Sequence, residues 1–156
     1  MVFKSFKYPI ILLFACLFLN SCTVSKSIVY DSSSIDLYEY AIVDEIVNYS
    51  GTESMMDLEA RIFNTLESSK LTMIGANRLS ELSDKQKELL LIIKIAATSN
   101  NDESVVNVSF LDYMSGKPIV TCRGADQMGF GRQGRMNWAI DKVIEQIKQV
   151  WVHKKY

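Results

Sequence analysis

Gly129-Phe130-Gly131-Arg132-Gln133-Gly134 has the spacing G-x-G-x-x-G, between a predicted strand and a predicted helix. In a dinucleotide fold such glycines let the backbone close on a pyrophosphate at a helix N-terminus. That chemistry also needs a following parallel strand and an acidic residue about 20 positions on to hold the ribose. The helix is expected to reach about Trp151, and only a few residues follow it, so no βαβ unit is expected there. What remains is a glycine-rich loop, 124–135, entering a helix. Amides of Gly129, Gly131 and Gly134 with Arg123, Arg132 and Arg135 nearby would suit an anion or a partner contact.

Other reactive side chains are sparse. His153 is the single histidine, near the C-terminal end of a predicted helix, so a Ser-His or Cys-His pair or a histidine-rich zinc site would have to be built from it. Cys122 falls mid-strand, where a small thiol serves as core packing. Asp44 and Glu45 are adjacent on a predicted strand and must face opposite sides. Asp112 sits where a turn is expected and would shape it. The reading is therefore a non-enzymatic protein with no catalytic residues, no metal site and no cofactor.

Composition narrows the class. The chain has 156 residues, 48% hydrophobic and 22% charged, with two prolines and a formal net charge of −1. That excludes a disordered or collagen-like chain. A sequence pI near 5.8 gives no electrostatic reason to expect nucleic acid. The apolar residues are concentrated at the start. Lys4 and Lys7 precede an uncharged run, Pro9 to Leu19. As a helix that run would span about 16 Å, too short for a bilayer core of about 30 Å. A basic start, an apolar run and then small or polar residues form the order of an export signal.

Leu19-Asn20-Ser21-Cys22 follows at once. It resembles a bacterial lipobox, in which signal peptidase II cleaves before a cysteine already carrying diacylglycerol. Leu19 and Ser21 fit that pattern, and Asn20 departs from the usual small or aliphatic residue. The resemblance implies a signal peptide over 1–21 and a lipid anchor on acylated Cys22. Several acyl chains anchor firmly where one is marginal. Thr23, rather than aspartate, follows the cysteine, which by resemblance to enterobacterial sorting implies the outer membrane, facing the periplasm. Loss of Lys4 and Lys7 with the leader moves the net charge from −1 to −3.

The elements follow from pattern. Residues 22–34 comprise Cys22 and a polar, serine-rich stretch expected to be a flexible tether. A single α+β envelope domain is expected over 35–156. Ile35 to Tyr49 predicts a strand, with Tyr38, Tyr40, Ile42 and Ile46 on one face. Met55, Leu58, Ile62, Phe63 and Leu66 recur at helical spacing. Lys70 to Ile74 predicts a short strand, 76–82 a helical turn or two, and 83–88 a polar connection. Leu89 to Thr98 is the most apolar stretch of the domain and predicts a central strand covered on both faces. Val105–Leu111 and Ile119–Arg123 predict a hairpin. Met136, Ile140, Val143, Ile144, Ile147, Val150 and Trp151 form the stripe of a second long helix, with Trp138 at its edge, in the core or at a partner contact. The order β-α-β-(short α)-β-β-β-α predicts a two-layer sandwich with a mainly antiparallel sheet.

From Leu89 onward, the apolar strand, the hairpin with Asp112-Tyr113 and Gly116-Lys117, the strand with Cys122-Arg123-Gly124 and the glycine loop before an Ala139-containing helix resemble a group of small outer-membrane lipoproteins of the Bacteroidetes. More distantly, the element order is similar to the TolB amino-terminal domain and to LpoB-type penicillin-binding-protein activators. The resemblance implies a periplasmic domain that binds a protein partner. It suggests a lipid-anchored envelope lipoprotein supporting an assembly. The alternative is an envelope domain that binds a small ligand or anion through loop 124–135.

Overall fold

The computed structural model describes residues 25–44, 53–129 and 131–153. Leu19, Asn20, Ser21, Cys22 and the leader lie outside the described residues. The elements are β1 Lys26–Val29, β2 Tyr40–Val43, α1 Glu53–Glu67, β3 Thr72–Met73, α2 Asp84–Lys87, β4 Leu90–Ser99, β5 Ser104–Asp112, β6 Pro118–Asp126 and α3 Gly131–Ile147. Two 3₁₀ segments, Ile35–Leu37 and Ala76–Glu81, connect them, and α3 runs into a π-helical turn at Lys148–Val152. The strand order is β1-β6-β5-β4-β2-β3. The β1–β6, β6–β5 and β5–β4 pairs are antiparallel, whereas β2 lies parallel to both β3 and β4. The protein is an α+β fold built on a six-stranded mixed sheet.

Alternation along β4 and β5 decides where the core sits. Leu91, Ile93, Ile95 and Ala97 on β4, and Val106, Val108 and Phe110 on β5, are buried under α1 and α3. The α1 stripe contributes Leu58, Ile62 and Leu66. The α3 stripe buries every residue that its spacing named, from Met136 through Ile147, with Val150 and Trp151 following in the π turn. Trp151 meets Phe110 with ring centroids 5.0 Å apart, a tilted pair of the kind that adds about 1 kcal/mol to the burial itself. Arg61 on α1 reaches Asp141 on α3 at 2.6 Å, at the exposed seam between the helices.

Four expectations change. The stretch 22–34 is not all tether: Lys26 to Val29 pairs with β6 in the register Lys26 opposite Arg123 and Val29 opposite Val120. Lys-Ser-Ile-Val is too short to hold a strand alone, so its strand comes from docking on an edge nearly a hundred residues away. The strand expected from Ile35 begins only at Tyr40, because Ile35–Leu37 turns as a 3₁₀ segment that buries Ile35. The polar connection 83–88 contains α2, started by a capping box in which Ser83 and Gln86 bond reciprocally. Finally, β4 is covered on both faces only at its start, where Leu90 and Leu91 are both buried. Lys94, Ala96 and Thr98 point to an open face, where Lys26, Arg123, Asn107 and Ala96 stand in one cross-strand row.

Candidate functional site

The glycine-rich segment lies at one end of the sheet, called the tip below. There β6 ends, the β4–β5 turn (Asn100–Glu103) protrudes and α3 begins. Two glycines make this end geometrically feasible. At Gly124 a Cβ would lie 2.0 Å from the Ala139 carbonyl oxygen, so only glycine lets α3 sit down on β6 at that point. Gly131 opens α3 with φ of 69°, in the left-handed region.

A buried carboxylate organises the loop. Asp126, 2% exposed, accepts the amide N–H of Gly129 at 2.8 Å and of Met128 at 3.2 Å through Oδ2. Its Oδ1 receives Lys142 Nζ at 3.2 Å, and the same ammonium donates to the Ala125 carbonyl at 2.7 Å. In a phosphate cradle the loop amides would point at the ligand. Here an internal carboxylate holds two of them, so the G-x-G-x-x-G spacing works as a structural loop. Sequence reasoning missed Asp126, and the only local trace is an aspartate closing a strand just ahead of glycines.

The structure brings the three arginines together around the β4–β5 turn. Arg123 pairs with Glu103 at 3.7 Å. Arg132 donates to the Asn101 side-chain oxygen at 3.1 Å, and Arg135 to the Asn100 carbonyl at 3.2 Å. The last two therefore bond neutral oxygens and keep their charge. Arg135 Nε is buried without a hydrogen-bond partner. Gly129 is buried, Gly134 is half-buried in the first turns of α3, and Gly131 is exposed. Gln146 ties α3 to β6 by accepting the Arg123 amide at 3.1 Å and donating to the Arg123 carbonyl at 2.9 Å.

The opposite end of the sheet is organised by a half-buried carboxylate, Asp112. Asp112 Oδ1 accepts the Ser115 amide at 2.7 Å and its hydroxyl at 2.6 Å, closing the β5–β6 turn that contains Gly116. Asp112 Oδ2 accepts the Tyr38 hydroxyl at 3.1 Å. Burial pushes the Asp112 carboxyl up, but the hydrogen bonds from Ser115 and Tyr38 outweigh it and hold the group below the ordinary carboxylate range. Burial, with the Asp112 carboxylate beside it, raises the Tyr38 phenol to about 12.

The remaining candidates stay apart. His153 is exposed just past the π turn, and its amide bonds the Lys148 carbonyl at 2.8 Å. Cys122 is a free thiol, fully buried, and burial pushes it up to about 12, far from a thiolate at neutral pH. Trp138 is half exposed on α3. An open cavity of about 500 Å³ on the other side of the molecule combines apolar Ile42, Leu79 and Ile92 with Asp44, Glu59 and Tyr113. Asp44 there is already paired with Lys94 at 3.7 Å. Among the described residues no cluster of three or more His, Cys, Asp or Glu could hold a metal ion. No described helix is long and apolar enough to cross a membrane.

These features define a two-layer α+β domain whose glycine loop is held by its own carboxylate. No family model and no curated protein matches the chain. Among the solved structures that resemble it are two of PelC. The PelC dodecamer from Paraburkholderia phytofirmans is 18% identical with a TM-score of 0.49, covering 80% of this chain and 94% of that one. A leucine-to-methionine variant of the same dodecamer is 15% identical with a TM-score of 0.51, covering 80% and 96%. The second likeness is one of fold.

Proposed function

We propose that this chain is a lipid-anchored lipoprotein of the cell envelope, on the outer membrane facing the periplasm, whose domain binds protein without catalysing a reaction. The carrying observation is the order of the first 22 residues: Lys4 and Lys7, the uncharged run Pro9–Leu19, then Leu19-Asn20-Ser21-Cys22. The acyl chains on Cys22 hold the protein to lipid. Large apolar side chains left on the helices support a protein partner. Met56 and Phe63, seven residues apart on α1, are 75% and 41% exposed, and Trp138 on α3 is 50% exposed. The PelC variant whose fold this chain shares is a dodecamer, and self-association is the form of assembly proposed first for this chain.

Two experiments separate the parts of the reading. Cys22→Ser should abolish palmitate labelling and leave the precursor uncut; unchanged processing would mean an ordinary secretory signal. Light scattering of the detergent-solubilised chain should give a multiple of the protomer mass, and Trp138→Glu or Phe63→Glu should lower it. A monomer at every concentration would remove self-association and leave a different protein as the partner.

A further inference from the structure

We infer that the tip of the sheet rests on the membrane, with anionic lipid headgroups as its ligand. The inference rests on the reading of Cys22 as the acylated residue. Its first support is chain length. β1 runs antiparallel to β6, so its N-terminal side points toward the end where β6 stops. Ser25 is fixed there, its hydroxyl accepting the Ala125 amide at 3.4 Å. Only Thr23 and Val24 separate Ser25 from Cys22. Three residue steps span about 10–11 Å at full extension. The polar headgroup layer of one leaflet is itself roughly 5–7 Å deep. A twelve-residue tether would have let the domain float about 40 Å away; docking of β1 removes that freedom and brings the tip against the headgroups.

The second support is charge. Around the tip stand Lys26, Arg123, Arg132 and Arg135, against Asp102 and Glu103 on the protruding turn. Asp126, where β6 ends, is buried on Lys142. A chain that is acidic overall thus presents cations, two of them bonded only to neutral amide oxygens at 3.1 and 3.2 Å, at the end its anchor draws to lipid. Met128, 66% exposed in the loop after β6, adds an apolar side chain at the same level.

The two ends carry matched reporters. Met128 at the tip and Met114 in the far turn are 66% and 62% exposed. Met128→Cys and Met114→Cys are each labelled with an environment-sensitive fluorophore in the acylated full-length protein. Each is reconstituted in phosphatidylethanolamine–phosphatidylglycerol vesicles carrying a headgroup nitroxide. The label at 128 should be quenched several-fold more than the label at 114. Exchanging phosphatidylglycerol for phosphatidylcholine, or introducing Arg132→Glu, should reduce the difference. A long Gly-Ser insert between Val24 and Ser25 should reduce it as well. Intact mass is read first. A mass without acyl groups on Cys22 overturns both the anchor and this orientation. An acylated chain with equal quenching at 128 and 114, or stronger quenching at 114, overturns the orientation and leaves the anchor standing.

Discussion

The two ends of the sheet are held by different means. At the tip, order comes from the interior: a missing side chain at Gly124 lets α3 touch β6, and buried Asp126 gathers two loop amides and Lys142. At the far end a half-buried carboxylate, Asp112, bonds an exposed serine and the hydroxyl of buried Tyr38 around an ordinary turn. The difference shows which end tolerates change. A buried group left without its partner costs its full desolvation penalty, whereas an exposed group finds water instead.

The largest expected effect lies at Gly124. Gly124→Ala places a methyl 2.0 Å from a helix carbonyl, so α3 must move off β6. The cost should be about 3 kcal/mol, seen as a melting point lowered by roughly 10 °C. A change of under a degree would mean that the helix is not seated as described. Next comes Asp126→Ala, which removes the acceptor of the Met128 and Gly129 amides and the carboxylate beside a partly buried ammonium; chemical denaturation should show a loss of about 2–3 kcal/mol. Asp126→Asn, which keeps an acceptor, should lose less. The matching change at the far end, Asp112→Ala, should cost only about 1 kcal/mol. An equal loss at the two aspartates would erase the contrast between the ends.

The smallest effects are in pH dependence and belong to the far end. The Asp112 carboxyl is held down in the folded chain, so its stabilisation is present above the ordinary carboxylate range and is lost as the pH falls through the folded value. Asp112→Asn should therefore flatten the acid limb of stability below about pH 4. The Tyr38 phenol is raised from 10.0 to about 12, so the folded form favours the proton. Its stabilisation is present below pH 10 and is lost as the pH climbs toward 12. Tyr38→Phe should remove that alkaline slope, and a slope unchanged by the substitution would place its origin elsewhere.

How much of this the sequence disclosed depends on how local each cause is. The hairpin β5–β6 and helix α3 were legible because period-2 and 3.6-residue patterns are written within single segments. β1 was not, because Lys-Ser-Ile-Val becomes a strand only by pairing with β6. The parallel alignment of β2 with β3 and β4 was hidden for the same reason. The apolar run 89–98 suggested cover on both faces, yet Ala96 and Thr98 are small enough to stand on an open one. In the candidate site, the arginines and glycines were legible by type. Their common centre was not: nothing in sequence says that Asp126 folds under the loop or that the β4–β5 turn lies between Arg123, Arg132 and Arg135.

The short link from Cys22 to β1 and the cations at the tip carry the proposal of a tip-down, lipid-held domain, and amide hydrogen exchange reads it without labels. The acylated chain on phosphatidylglycerol-containing vesicles is compared, peptide by peptide, with the same chain lacking the lipid. The expected result is slower exchange at 99–104 and 126–129 on the vesicles, with 113–117 unchanged. Slowing confined to 113–117, or spread evenly over both ends, would contradict it.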